Sequence, residues 1–412
     1  MRATNLTLLT DLYELTMMQG YFKNPTNQTV IFDMFYRVNP CGGSFAITAG
    51  LEQMIEYIEN LHFETEDIDY LRSLNIFEED FLEYLSTFRF TGDIYAIPEG
   101  TVVFPREPLV KVIAPIMEAQ LVETAILNII NHQSLIATKA ARVCYAARGD
   151  GIMEFGLRRA QGPDAGIYGA RAAVIGGCAG TSNVLTGQMF NVPVLGTHAH
   201  SWIMSFPDEL TAFRTYAKLY PNACILLVDT YDTLNSGIPN AIKVFKEMRE
   251  AGIPLTFYGI RLDSGDLAYL SKKAKKMLDA AGFPDAVISA SNDLDETLIS
   301  SLKLQGAAIN SWGVGTNLIT SKDCPSFGGV YKLAAIQDKA TGEFIPKIKL
   351  SENAEKITNP GNKTIRRIYD KENGKIIADL ICLIDEEYDT DQPLLLFDPK
   401  ETWKKTLLAP GT

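Results

Sequence analysis

Two histidines, His198 and His200, stand two residues apart in Gly196-Thr197-His198-Ala199-His200-Ser201-Trp202. The chain has only four histidines, so half of its near-neutral proton and nucleophile chemistry falls in this one turn. The apolar run Val192–Leu195 before it reads as a buried strand handing over to a loop. Polar groups also follow other apolar runs. Ile152–Phe155 leads into Gly156-Leu157-Arg158-Arg159, and Cys224–Val228 into Asp229-Thr230-Tyr231-Asp232. Leu255–Ile260 leads into Arg261-Leu262-Asp263-Ser264-Gly265-Asp266, and Ala286–Ala290 into Ser291-Asn292-Asp293. Ala307–Asn310 leads into Gly313-Val314-Gly315-Thr316-Asn317. Arginine pairs with phosphate, aspartate holds the water shell of Mg²⁺, and the N–H groups of a glycine-rich turn cradle a terminal phosphate. The set suits a substrate with several phosphates and a Mg²⁺ ion.

Each group also has a plainer reading. Asp229 and Asp232 are candidate helix N-caps. Arg261 and Asp263, pointing the same way along a strand, are a candidate structural ion pair. Gly313 and Gly315 suit an ordinary tight turn. Lys272, Lys273, Lys275 and Lys276 read as a solvated helix face, and His62 and His132 carry no supporting motif. What favours chemistry is position: these groups fall at the same end of successive apolar runs, and in barrel and doubly wound folds that end binds ligands. The sequence holds no GxxxxGK[ST] segment and no Gly-x-Ser-x-Gly elbow, so neither a P-loop nor a hydrolase nucleophile is expected.

The elements that must position these residues follow from periodicity. Thr10 to Gly20 reads as a helix, with Asp11 at its N-cap, Glu14 three residues later and Gly20 as its stop. Ile31–Val38 reads as a strand. Leu51, Met54, Ile55, Ile58 and Leu61 recur at helical spacing, and Phe77–Phe88 gives another amphipathic helix. Phe90 to Pro115 turns to a β pattern, and a long helix is expected from about Met117 to Ala147. After Gly149 apolar runs alternate with helical segments, which implies βαβ units and a parallel sheet. About six such units are visible, fewer than a closed (β/α) barrel uses, so an irregular, incomplete α/β barrel is expected. From Gly329 the pattern is β again, with a hairpin of Thr364–Tyr369 and Lys375–Ile384 around Asn373-Gly374. The C-terminal tail is therefore expected to rejoin the N-terminal α+β part.

The 412 residues are 46% hydrophobic and 21% charged, an ordinary globular composition with material for more than one core. The net charge of −12 argues against a nucleic-acid surface but leaves room for a local basic pocket. No apolar run approaches the roughly 20 residues that span a bilayer, and Met1-Arg2-Ala3-Thr4-Asn5 lacks the features of a signal peptide. Six cysteines without a CxxC or metal spacing suggest a reduced, cytoplasmic protein with free, mostly buried thiols.

Several of these motifs together are specific. Thr10-Asp11-Leu12-Tyr13-Glu14-Leu15-Thr16-Met17, Glu154-Phe155-Gly156-Leu157-Arg158-Arg159, Gly180-Thr181-Ser182-Asn183, Gly196-Thr197-His198-Ala199-His200, Arg261-Leu262-Asp263-Ser264-Gly265-Asp266 and Ser291-Asn292-Asp293 resemble nicotinate phosphoribosyltransferases. So do Lys349-Leu350-Ser351-Glu352 and Asn359-Pro360-Gly361, and the resemblance covers nearly the whole chain. It implies an irregular open barrel over residues 131–329 and an α+β domain built from 1–130 and 330–412. It also implies homodimers with shared sites, and a reaction that joins nicotinate to 5-phosphoribosyl 1-diphosphate with ATP hydrolysis as co-reaction. By the same resemblance His200 is the phosphorylated histidine and His198 a bystander. Tyr13, from the partner subunit, and Phe155 sandwich the pyridine ring. Thr197 and Arg261 lie near the nicotinate. Arg158, Asp229 and Asp263 handle the ribosyl diphosphate, its Mg²⁺ or the base, with Ser291 beside them. Gly315 and Thr316 hold the 5-phosphate. Similar nicotinamide enzymes, the nearest alternative, carry Asp where Ser182 stands, so Ser182 favours the acid over the amide. A non-catalytic ligand-binding relative is the other alternative, disfavoured by the intact His200, Asp229, Arg261 and Asp263.

Overall fold

The computed structural model describes residues 5–24, 27–350, 352, 357–389, 391–398 and 401–410. Ser351 of the late motif and residues 1–4 of the amino-terminal reading lie outside them. In the N-terminal part, β1 (Thr29–Tyr36), β3 (Asp93–Ala96) and β5 (Val110–Pro115) pair antiparallel, and β2 (Ala46–Ile47) pairs separately with β4 (Val102–Val103). Two later strands, β12 (Gly329–Gln337) and β13 (Phe344–Pro346), complete the first sheet in the order β13-β12-β1-β5-β3. The end of the chain thus joins a sheet begun by its start. β1 lies between β12 and β5 and is buried along nearly its whole length, which explains its largely apolar and aromatic character, interrupted only by Asp33. The expected hairpin is present as β14 (Lys363–Tyr369) and β15 (Ile376–Leu383), followed by a second one, β16 (Leu394–Phe397) and β17 (Lys405–Leu408).

The alternating region forms β6 (Gly151–Glu154), β7 (Gly180–Thr181), β8 (Cys224–Leu227), β9 (Tyr258–Leu262), β10 (Val287–Ala290) and β11 (Ser311–Val314). All pair in parallel, in the order β7-β6-β11-β10-β9-β8, with helices between them. β8 and β11 are buried throughout, as strands covered on both faces must be.

The structure corrects several element boundaries. Val192–Leu195 is not a buried strand: Val194 makes a single parallel bridge to Thr181 and is 48% exposed. The first helix is Leu12–Lys23 and runs through Gly20. Asp11 does not cap it with its side chain but accepts the Thr124 hydroxyl at 3.0 Å. The long helix is two, Ile116–Leu121 and Glu123–Ala147, divided at Val122. The second of these spans both cores. Ile126, Ile129 and Ile130 pack with the first sheet, whereas Ile136, Ala137, Ala140 and Val143 pack with the parallel sheet. Ile47 and Ala49 also join the latter core.

Candidate active site

The C-terminal ends of the parallel strands carry the polar groups picked out in the sequence, and the segment Pro193–His198 gathers them. β7 and β8 are the two edges of the sheet. On one side Leu195 N–H donates to the Thr181 carbonyl at 2.9 Å and Thr181 N–H to the Pro193 carbonyl at 3.0 Å. On the other, Leu227 N–H donates to His198 Nε2 at 3.3 Å. The segment therefore straps one edge strand to the other and closes the ring that the strands leave open. His198 is buried, edge-on to Tyr216 with ring centroids 4.6 Å apart. Burial holds its imidazole down to about 4, against a weaker opposing bond at Ala199, so it stays neutral and can accept from Leu227. Its place is structural.

His200 starts the short helix His200–Met204 and is partly exposed. Its Nδ1 lies 3.0 Å from Thr230 Oγ1 and its Nε2 3.6 Å from Asp263 Oδ2. Asp263 also accepts the Ser291 hydroxyl on Oδ1. Asp229 Oδ2 accepts the Asp263 N–H and the Ser264 hydroxyl, each at 2.7 Å, while its Oδ1 is buried without a partner. Asp229 is thus no helix cap. Asp232 is one, accepting from Leu234 and Asn235 N–H. Groups following β8, β9 and β10 meet here with the histidine at the end of the strap.

Arg261, within β9, donates to Thr197 Oγ1 and to the His198 carbonyl, the latter at 3.0 Å. It is not locked in an ion pair with Asp263. Burial lowers its guanidinium from the usual value while Asp263 and Asp229 act in the other direction, and Arg158 lies close enough to act on it as well. Its Nε is buried without a partner. A half-buried guanidinium with one unsatisfied donor, beside a hydroxyl it orients, suits a small carboxylate.

Phe155 follows β6 with its N–H on the Val314 carbonyl at 2.8 Å. Its ring lies against Gly313, where a Cβ would come within 2.6 Å of Phe155 Cδ2. Glycine at 313 is therefore needed for close approach. Gly315 precedes the helix Thr316–Ile319, and a Cβ there would come within 3.2 Å of the Phe155 carbonyl. After β10, Asn292 and Asp293 both take positive φ, 97° and 42°, in a turn held by Asn317 Nδ2 on the Asp293 and Leu294 carbonyls at 2.8 and 3.1 Å. Two consecutive left-handed non-glycine residues at a strand end are stored strain of the kind found at functional sites.

The comparisons with known proteins agree along the chain. Residues 8–131 match the nicotinate phosphoribosyltransferase N-terminal domain, 151–373 the nicotinate phosphoribosyltransferase family and 362–412 its C-terminal domain. The chain belongs to the nicotinate phosphoribosyltransferase family. Nicotinate phosphoribosyltransferase of Bacillus subtilis (strain 168) is 50% identical over 400 residues, covering 97% of this chain and 80% of that protein. A nicotinate phosphoribosyltransferase of Mycobacterium tuberculosis is 44% identical over 360 residues, covering 87% and 75%. The crystal structure of human nicotinic acid phosphoribosyltransferase matches with a TM-score of 0.80 at 30% identity, covering 98% of this chain and 87% of that one. The irregular barrel and the sheet shared by both chain ends are the fold of this family.

Two other residues are expected from the family resemblance. Ser182 follows β7 at the rim, its N–H on the Glu154 carbonyl at 2.9 Å. Tyr13 stands in the first helix, 45% exposed, beside Glu123, Glu14 and Asp11, and no contact joins it to the strand-end groups of its own chain. Sequence reasoning assigned no role to Glu154 or Thr230. Glu154 is fully buried, with Thr181 Oγ1 donating to its Oε2 at 2.6 Å and Gly156 N–H to its Oε1. It fixes the turn that carries Phe155 and Arg158, and burial raises its carboxyl from the ordinary value. A carboxylate inside an otherwise apolar strand was the available signal.

Proposed function

We propose that this member of the nicotinate phosphoribosyltransferase family transfers the phosphoribosyl group of 5-phosphoribosyl 1-diphosphate to nicotinate. The products are nicotinate mononucleotide and diphosphate, a step of NAD synthesis. ATP hydrolysis is coupled to the transfer through phosphorylation of His200. The observation that supports this most is the Arg261 guanidinium: half-buried, braced on Thr197 and His198, with Nε unsatisfied, in the same mouth as His200, Asp229 and Asp263.

In this reading Arg261 and Thr197 take the nicotinate carboxylate, and Phe155 lies on one face of the pyridine ring. Tyr13 of the partner subunit covers the other face in a homodimer, which accounts for its distance from the site in its own chain. The N–H groups at Gly315 and Thr316, which open a helix, receive the 5-phosphate, and Arg158 reaches the diphosphate. Nicotinate N1 attacks ribose C1 as the C1–O bond to diphosphate breaks through a cationic state. Asp229 and Asp263 would hold Mg²⁺ and offset the positive charge that develops at ribose C1. Among the described residues no group of three His, Cys, Asp or Glu side chains could hold a metal alone. The unpartnered Asp229 Oδ1 instead suits an ion shared with substrate phosphates. When bound, that ion offsets the charge of the departing diphosphate. Ser182 leaves the rim uncharged and favours an acid over an amide substrate. Among the described residues no helix is long and apolar enough to cross a membrane, and the six free cysteines suit a cytoplasmic location.

Incubation with γ-phosphate-labelled ATP, nicotinate and 5-phosphoribosyl 1-diphosphate tests the reading. Wild type should yield nicotinate mononucleotide and an acid-labile phosphoprotein, and His200→Ala neither the label nor coupled ATP hydrolysis. Equal labelling of that variant would remove His200 from the scheme.

A further inference from the structure

Ser289, in β10, carries a buried hydroxyl inside the ring of parallel strands. Side chains alternate between the two faces of that sheet. Ile260 and Leu262 of β9, and Ile288 and Ala290 of β10, join the core on the outer, helix-covered face. Arg261 and Ser289, standing between them, therefore face the inside of the ring. They are register partners on adjacent strands, about 4.8 Å apart across the sheet. Ser311 of β11 pairs with Ser289 on its other side, and Gly151 of β6 pairs with Ser311. A Cβ built at Gly151 would meet nothing within 4 Å. On this side of Arg261 the layer thus carries only two hydroxymethyl groups and a bare backbone, which leaves space inside the ring. Asp263 and Ser291 lie two residues further along the same two strands, on the same face, and meet in the site described above.

Ser289 is 2% exposed, and among the described residues nothing bonds its Oγ. The same holds for Arg261 Nε. A buried polar atom left unbonded lowers stability. Two unsatisfied donors at paired positions on one face suit a single acceptor with two oxygens. The Phe155 ring lies against Gly313, two residues beyond Ser311 on the inner face of β11. A pyridine on Phe155 would lie one layer above Ser289, with its carboxylate free to enter the ring.

We propose that the Ser289 hydroxyl is a second donor to the substrate carboxylate, beside Arg261 Nε, and a specificity-determining residue for the acid. The assignment rests on the reading that the ring binds nicotinate. Ser289→Ala removes the hydroxyl and little else. Its kcat/KM for nicotinate should fall about tenfold or more, the effect of one hydrogen bond to a charged group, mainly through KM. The fall for nicotinamide should be several-fold smaller, because a neutral amide makes the weaker bond. KM for 5-phosphoribosyl 1-diphosphate and acid-labile labelling by γ-phosphate-labelled ATP should match wild type. Urea unfolding without substrate should show equal or higher stability, since no unbonded hydroxyl is then buried. An unchanged nicotinate KM, or equal losses for acid and amide, would overturn the proposal. So would lower stability, which would show the hydroxyl bonded within the fold. A wild-type protein that forms no nicotinate mononucleotide would instead remove the reading of the site, and the proposal with it.

Discussion

Replacing Arg261 by lysine tests the anchor at the centre of the site. The guanidinium has two donors engaged, on Thr197 Oγ1 and the His198 carbonyl, and a third, Nε, buried and free. Lysine keeps the charge but offers one nitrogen, which cannot brace the strap and meet a substrate carboxylate together. The substrate then loses about one charge-assisted hydrogen bond, worth about 1.5–3 kcal/mol. That corresponds to a loss of about 10- to 150-fold in kcat/KM for nicotinate. The assay varies nicotinate at saturating 5-phosphoribosyl 1-diphosphate and ATP, with nicotinamide as an uncharged comparison substrate. The loss should be several-fold larger for the acid than for the amide, because only the acid presents a full negative charge. A fall of less than about 3-fold in a variant with unchanged circular dichroism, worth under about 1 kcal/mol, would refute the carboxylate assignment. Equal losses for acid and amide would show that Arg261 acts only by bracing the strap.

Three further outcomes follow from other parts of the fold. Ser182→Asp should lower the nicotinate-to-nicotinamide ratio of kcat/KM by about tenfold or more, the effect of ~1.4 kcal/mol; an unchanged ratio places the discriminating group elsewhere. Glu14 is fully buried, and burial pushes its carboxyl up to about 7 despite bonds from Thr124. The folded state therefore holds a proton there that the unfolded chain releases above its ordinary value of 4.5, so stability is lost as pH rises from about 4.5 to about 7, by about 3 kcal/mol in all. Glu14→Gln should flatten this part of the denaturant-unfolding profile, between about pH 4.5 and 7. His198, lowered to about 4, acts with opposite sign as pH falls below its ordinary value, so the variant must be compared with wild type at each pH. Lys363→Met should destabilise by about 3–5 kcal/mol, since it strips the partner 2.6 Å from the buried Asp33; adding Asp33→Asn should recover most of the loss, as measured by urea unfolding.

The parts legible in the sequence were those whose physics is local and repetitive. β8 and β10 lie within a residue of the apolar runs that announced them, because a strand covered on both faces is apolar along its length. β9 and β11 lie two or more residues later than expected. Both contain groups that break an apolar run: Arg261 in β9, and Ser311 and Gly313 in β11. Hydrophobicity alone therefore places both strands too early along the chain. β7 has two residues and no pattern to read. The partners of the predicted residues were also hidden. Thr230 follows Asp229 in the sequence, yet only the fold aims it at His200. The distance of Tyr13 from the other groups is a matter of long-range packing that spacing does not encode.

His198 and His200 differ chemically only through where the strap puts them. The strap must satisfy a backbone donor on the β8 edge, Leu227 N–H, and it does so with an imidazole nitrogen. A protonated ring has no lone pair to accept with, so the closure requires His198 neutral, and burial beside Tyr216 and Phe213 keeps it so. Two residues on, the chain has left the core, and the second imidazole emerges between a hydroxyl and a carboxylate, where a ring nitrogen can take part in chemistry. Arg261 couples the two ends of this arrangement. It holds the strap by Thr197 and by the carbonyl of the same His198, and its Nε has no partner within the chain. Closing the barrel and shaping the proposed carboxylate site are therefore one structural event. A change that loosens the strap moves the substrate anchor with it, even when the residue changed touches no substrate.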